Sequence, residues 1–254
     1  MKSLLKKLSL VIFSITILSC NNQSQNELKT TVSVAGLETK NQFTESIKKE
    51  IQSQYKCRAS LTGSINFKTS NSLNTLSIKI DSVGLDSTDI NLIASEVSLS
   101  IFEKIRKSKF KDTYKNLDVE VNKGEHWSLG YELNNNKYNQ IKNQIKTGET
   151  FLKNWKEGNF LKNAELFHDI IPVDTVMQVL PDTLENINSR NGKIKNQKFI
   201  AYYTKPGTLE EKAVEFVYVV FQLDFEKKKD FIRLIFPMEG IEIEPKIIGT
   251  EGVI

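Results

Sequence analysis

The sequence has 254 residues, of which 39% are hydrophobic and 9% aromatic, enough for a packed core in one or two domains. Its 35 basic and 31 acidic residues give a formal charge of +4. Three of the lysines, Lys2, Lys6 and Lys7, lie in a predicted signal peptide, so the mature chain carries a charge of about +1. Because such a chain lacks the basic surface of a nucleic-acid-binding protein, we expect no nucleic-acid partner.

The first twenty residues have the layout of a bacterial lipoprotein signal. The lysines are followed by an apolar run at 8–18, which is too short to span a membrane. The sequence ILSC at 17–20 resembles the lipobox, in which the cysteine thiol receives a diacylglycerol and the chain is cleaved in front of it. We therefore predict a signal peptide at 1–19 and lipid attachment at Cys20. The alternative is an ordinary signal peptide with an incidental cysteine.

Lipidation would place the protein in the bacterial cell envelope. Two or three acyl chains, at about 0.8 kcal/mol per buried methylene, hold a protein stably on a bilayer. Residues 20–38 are rich in Asn, Gln, Ser and Thr, which favours a flexible tether. The first acidic residue after the cysteine is Glu27, so a nearby acidic export signal is absent and we expect a periplasm-facing protein.

Cys57 is the second of the two cysteines. With Cys20 lipidated it has no disulfide partner, and a redox or nucleophilic role would need a second cysteine or a nearby histidine. We therefore predict a buried and inert thiol. The sequence also gives no indication of a cofactor.

Residues 39–134 are predicted to form an α-β-β-α-β-β domain. A helix from residue 39 has apolar residues at every fourth position, and alternating residues predict strands at 60–68 and 73–83. A long amphipathic helix and strands at 117–122 and 127–133 follow. Asp86, Asp89 and Glu96 could be read as metal ligands, but helix capping and solvent exposure explain them better, so no metal site is predicted.

Residues 139–254 are predicted to form a second domain, after a boundary in the Asn-rich stretch 134–140. Apolar residues up to Trp155 predict a helix loosened at Gly148. Further helical segments are predicted at 161–168, 173–180 and 182–190, the last two separated by Pro181. Four strands should follow at 194–204, 213–225, 230–237 and 241–248. Helices followed by an antiparallel sheet are typical of an α+β fold.

The second half of the chain resembles a known family. Its landmarks are Gly158 with Phe160, the pair Arg190 and Gly192 before the first strand, and the hairpin LDFEKKK. Over about residues 140–254 these features resemble domain of unknown function 4019. The resemblance implies a cystatin-like, nuclear-transport-factor-2-like cone in an envelope protein. It implies no activity, because none is established for that family.

The motifs of common enzymes are absent from the sequence. There is no G-x-S-x-G elbow, no phosphate-binding glycine loop and no H-E-x-x-H helix. His168 and Asp169 are adjacent, and adjacent side chains on a helix do not face each other. Asp224 and Glu226 lie beside a lysine-rich hairpin tip, where we expect them to be solvated. We therefore predict a non-enzymatic binding or interaction module.

The alternative is a small-ligand enzyme, a hydrolase or isomerase that uses the cone. Tyr202, Tyr218 and either Asp224 or His168 would then lie at the mouth of the pocket. A cavity with an inward-facing Asp or His would favour this enzyme, whereas a filled cone would favour the binding module.

The strand predicted at 213–225 is apolar on both faces, although a sheet with one wet face should alternate. We therefore expect its outer face to be covered by a lined pocket, by the N-terminal domain or by a second protein. The predicted contact residues are Tyr202, Tyr218 and Phe221. The expected partner is an envelope protein or an apolar ligand.

Overall fold

The computed structural model describes residues 39–55, 58–65, 74–81, 90–122, 128–238 and 244–252. All of them lie in one compact unit. Cys20, Cys57 and the predicted capping segment 86–89 lie outside the described residues. Within the described ranges, no helix is long and apolar enough to cross a membrane.

The first half of the unit has the predicted order of elements. In chain order these are α1 (Lys40–Tyr55), β1 (Arg58–Ile65), β2 (Asn74–Asp81), α2 (Ile90–Lys107), β3 (Asn116–Asn122) and β4 (Ser128–Asn134). The strands form one sheet in the order β1-β2-β3-β4. Strands β2 and β3 are parallel, whereas the outer pairs are antiparallel. Helix α2 makes the crossover that a parallel pair requires.

Apolar periodicity explains these elements. Every fourth residue of α1 is buried, from Phe43 through Ile47 to Ile51. In β2 and β3 every second residue is buried, and α2 packs with an apolar face on β3 and β4. The buried strand residues are Leu76, Ile78, Ile80, Leu117, Val119 and Val121.

The second half contains three helices and then an antiparallel sheet. Its elements are α3 (Asn135–Lys156), α4 (Phe160–Ala164), α5 (Val173–Asn191), β5 (Ile194–Leu209), β6 (Lys212–Phe225), β7 (Lys229–Pro237) and β8 (Gly249–Gly252). The strand order is β5-β6-β7-β8, and each neighbouring pair is antiparallel. The predicted α+β class is confirmed.

The stretch 134–140, where a domain boundary is predicted, comprises the last residue of β4 and the first part of α3. Strand β4 ends at Asn134, and the same residue caps the next helix. Its side-chain oxygen accepts a hydrogen bond from the backbone N–H of Lys137 at 2.9 Å. Asparagine is one of the preferred N-cap residues, so an Asn-rich stretch here begins a helix directly after a strand.

Pro181 does not divide two helical segments, because α5 runs through it without interruption. A proline inside a helix removes one backbone hydrogen bond and costs about 3 kcal/mol or more. Burial of Val176, Leu184 and Ile187 on both sides of the proline offsets this cost.

Two other predicted elements differ from the observed ones. The helix predicted at 161–168 is only the five-residue α4, after which Phe167 makes an isolated bridge to Ile247. The last strand is the short β8 at Gly249–Gly252, not 241–248. Residues 241–243 lie outside the described residues, and 244–248 contain only that bridge.

Both sheets contribute to one hydrophobic core. Helix α2 of the first half packs against β5 of the second half. Aromatic pairs also join the halves, with ring centroids 5.2 Å apart for Phe102 and Tyr138 and for Tyr131 and Tyr202. The division into separate domains at 39–134 and 139–254 stays a prediction.

Candidate functional site

The helix-facing side of the second sheet is filled with apolar side chains. Alternate residues of β6 are buried there, and α3 contributes a buried stripe that packs on them. The buried β6 residues are Val217, Val219, Phe221, Leu223 and Phe225; those of α3 include Phe151, Leu152 and Trp155. The rings of Trp155 and Phe225 meet edge to face at 6.0 Å.

Gly148 allows α3 to approach this sheet closely. A Cβ atom at position 148 would lie 2.6 Å from Cε2 of Phe221 and 3.1 Å from Cδ1 of Leu234. The helix is continuous through the glycine, so the predicted loosening is wrong. Phe221, one of the three predicted contact residues, is therefore a core residue that fills the space beneath the helix.

Tyr202, the second predicted contact residue, is completely buried where α2, β4 and β5 meet. Its hydroxyl lies 2.9 Å from Oγ of Ser98, and its backbone N–H donates to Oγ of Ser95 at 2.8 Å. Its carbonyl accepts a hydrogen bond from the hydroxyl of Tyr131 at 2.9 Å. Burial raises the pKa of Tyr202 well above that of a free tyrosine. Tyr202 therefore joins the two halves, and its hydroxyl is held in the core.

Tyr218, the third predicted contact residue, lies half-buried on the outer face of the sheet. Its ring stacks on that of Tyr203 in the neighbouring strand, with centroids 4.8 Å apart and planes 8° apart. The Lys205 ammonium lies 5.0 Å from the centre of the Tyr218 ring and 5.3 Å from that of Tyr203. Such contacts hold a cation above aromatic faces.

The outer face of β6 is half-buried along 214–222. Part of this cover comes from the sheet itself, since the ring of Phe216 lies over Gly207 on β5, where a Cβ atom would collide with it. The expectation that this face forms a contact surface stays a prediction.

A cavity of about 630 Å³ lies between the start of α2, β4 and the outer face of β5–β7. Its wall includes Leu92 of α2, Ala201 of β5 and Val220 of β6. The register of β5 against β6 shifts between Phe199 and Ala201, which indicates a β-bulge at the cavity. Bulges redirect side chains and are frequent beside binding sites.

Two cations line the same cavity: Lys205, and Arg233 of β7. Arg233 is the register neighbour of Val220, with Glu251 of β8 on its other side. Within the described ranges, Arg233 has no ion pair, and the exposed Glu251 does not come within ion-pair distance.

The candidate acid and base residues do not line this cavity. Nδ1 of His168 accepts a hydrogen bond from the backbone N–H of Ile170 at 3.2 Å, and Asp169 is exposed. Asp224 lies at the hairpin, where a hydrogen bond from Gln222 and the charge of Lys229 lower its pKa. Among the residues with described positions, no three His, Cys, Asp or Glu side chains are grouped as metal ligands.

Sequence reasoning missed Lys205 and Arg233. The alternation in β7 places Arg233 on the same face as the apolar Phe231 and Ile235, which is an unusual position for a charge. That pattern could have pointed to the site. Lys205 gave no comparable signal, because its role depends on strand pairing with β6.

Comparison of the chain with protein-family models, curated proteins and solved structures finds no match. The resemblance to domain of unknown function 4019 rests on the sequence landmarks alone and stays a prediction. Two of those landmarks, Gly158 and Gly192, have positive φ angles of 76° and 81° and follow the ends of α3 and α5. Glycine is favoured there because it has no Cβ.

Proposed function

We propose that the protein is a membrane-anchored envelope lipoprotein and acts as a non-enzymatic binding module. The proposed binding function rests on one observation. The outer face of the second sheet carries a cavity of about 630 Å³ between α2, β4 and β5–β7, whereas Phe221 and its neighbours are buried on the helix-facing side. The cavity has apolar walls and a few polar groups, as ligand sites commonly do, and its volume is in their usual range.

The proposed anchor rests on the lipobox-like sequence that ends at Cys20. Metabolic labelling with a palmitate analogue tests it, because only a lipidated chain takes up the label. Wild type should be labelled, and Cys20→Ala should be unlabelled and uncleaved. Cys57→Ala is the matched control and should label like wild type. Equal labelling of Cys20→Ala would contradict the anchor.

A thermal-shift experiment tests the binding function. An organic extract of bacterial envelope should raise the Tm of the mature chain lacking its lipid, because a ligand that binds only the folded state stabilises it. Gly130→Phe is the informative variant: Gly130 lines the cavity, and nothing lies within 4 Å of the position its Cβ would take. The variant should fold and lose the shift. No shift in wild type, or an equal shift in both proteins, would contradict the proposal.

The alternative enzyme function has no supporting observation among the described residues. Asp224 and His168, its acid and base candidates, lie outside the cavity. Tyr202 is held by three hydrogen bonds in the core. We therefore propose binding without catalysis.

A further inference from the structure

The cavity on the outer face has two kinds of wall. Leu92, Ala201 and Val220 form an apolar part. Phe231 extends this part to the rim, where its side chain is 48% exposed. An exposed phenylalanine at the mouth of an apolar cavity provides surface on which an aliphatic or aromatic group can be buried.

The polar part of the cavity is cationic. Lys205 and Arg233 line it, and none of the described lining residues is acidic. Lys205 is held above the stacked rings of Tyr203 and Tyr218, and Arg233 has no ion pair with a described residue. A guanidinium group matches a carboxylate with two parallel hydrogen bonds, and such charge-assisted bonds are among the strongest that proteins form.

A neighbouring cavity of about 470 Å³ has the opposite character. Its lining includes four acidic side chains, Asp118, Glu120, Glu132 and Glu215. Its one described cation is Lys137, whose ammonium already lies 3.1 Å from both carboxylate oxygens of Glu215. The two cavities share Gly130, Tyr131 and Thr204 as wall residues. An anion is therefore favoured on the Arg233 side and repelled on the Asp118 side, which gives a bound ligand a defined orientation.

We infer that the cavity binds an anionic amphiphile, a molecule with a carboxylate and an aliphatic tail. This inference rests on the proposed binding function and names its ligand class. The carboxylate binds Arg233, with Lys205 adding a second positive charge to the same cavity, and the tail packs along Leu92 and Val220 towards Phe231. An uncharged molecule of the same shape has the tail contacts but forms no ion pair with either cation.

Calorimetric titration with dodecanoate and with dodecanol, both below their aggregation concentrations, tests the inference on the mature chain. Dodecanoate should bind at least tenfold more tightly than dodecanol. Arg233→Gln and Lys205→Gln should each weaken dodecanoate binding about tenfold and leave dodecanol binding unchanged. Arg233→Lys keeps the charge and should retain most of the affinity. Lys212→Gln, an exposed residue of β6 outside the cavity, should bind like wild type.

The outcomes separate this inference from the proposed function. Equal affinities for dodecanoate and dodecanol, or no effect of Arg233→Gln in a variant whose circular dichroism is unchanged, would overturn the anionic ligand class. A failure of both compounds to bind, while the envelope extract still shifts Tm through the cavity, would also overturn it and leave the binding module intact. If neither the extract nor the compounds bind, the proposed function fails as well.

Discussion

Gly148 of α3 lies directly against the ring of Phe221 on β6, so closely that a Cβ at position 148 would stand 2.6 Å from the ring atom Cε2. This contact lets the helix pack closely on the sheet at this position. The contact depends on the Cβ atom that Gly148 lacks. The packing of α3 on the sheet can therefore be tested by adding that atom.

Gly148→Ala should lower the free energy of unfolding by about 1–2 kcal/mol net, because an extra methyl group in a packed core forces side chains or backbone to move, at a cost of about 1–3 kcal/mol. Alanine's higher helix propensity, worth about 1 kcal/mol, offsets only part of this loss. Gly130→Ala is the matched control, since open space surrounds its Cβ position. Urea unfolding measures both variants. A Gly148→Ala protein as stable as wild type would contradict the packing described above.

The contact between Gly148 and Phe221 also shows which features can be predicted from sequence and which cannot. The spacing of Phe43, Ile47 and Ile51 specifies a helix face, because local periodicity reports local structure. A glycine in a helix can either weaken the helix or allow a neighbouring element to pack closely against it. Only the position of Phe221 shows that close packing is the role of Gly148. The sequence separation between these two residues is too long for a periodic pattern to reveal the contact.

The same limit applies to the site. The apolar character of both faces of β6 predicts that both are covered, but it does not show which face holds the buried Phe221 and which the outer Tyr218. The alternative enzyme function places Tyr202 at the mouth of a pocket, whereas the structure buries its hydroxyl against Ser98. Its real environment depends on Ser98, about a hundred residues earlier in the chain.

The hydroxyls of Ser98 and Tyr202 should be energetically coupled. Ser98 donates to the carbonyl of Ser95 at 2.9 Å, so the hydrogen between the two hydroxyls comes from Tyr202. A double-mutant cycle with Ser98→Ala and Tyr202→Phe should give a coupling of about 0.5–1.5 kcal/mol in unfolding free energy. Ser46→Ala is the control, because it removes a hydroxyl that bonds within α1. Its effect on the unfolding free energy should be additive with that of Tyr202→Phe. Additivity of the Ser98 pair would show that this hydrogen bond does not stabilise the fold.

Stability should fall in alkaline solution partly through Tyr202. Its folded pKa is raised by burial, whereas the tyrosine of the unfolded chain ionises near pH 10. The contribution of Tyr202 to folding stability is therefore complete below about pH 10, and it is lost as the pH rises from there towards the pKa of Tyr202 in the folded state. Urea unfolding between pH 8 and pH 11 should show a smaller decrease for Tyr202→Phe than for wild type. Parallel decreases would indicate that Tyr202 ionises equally in both states.

Asp118 and Glu132 face each other as register partners of β3 and β4, and they should repel. Burial and the charge of Glu132 raise the pKa of Asp118. Glu132→Lys should therefore stabilise the fold at pH 7 by about 0.2–1 kcal/mol. The gain should shrink as falling pH protonates Asp118, because the raised pKa means that the repulsion is present only above it.

Glu120→Lys is the control for this prediction. Glu120 lies 3.5 Å from the ammonium of Lys79, so reversing its charge replaces an attraction by a repulsion. Stability measured by urea unfolding should decrease in this variant, while Glu132→Lys increases it. If both reversals change stability in the same direction, the local charge arrangement does not determine the effect.

The most direct test of the account is to locate bound dodecanoate with methyl NMR at Val219 and Val220. These neighbours point to opposite sides of β6: Val219 is fully buried under the helices, and Val220 lines the outer cavity. Bound dodecanoate should shift the Val220 methyl signals and leave those of Val219 nearly unchanged. A shift confined to Val219, or no shift at either residue at saturating dodecanoate, would contradict it.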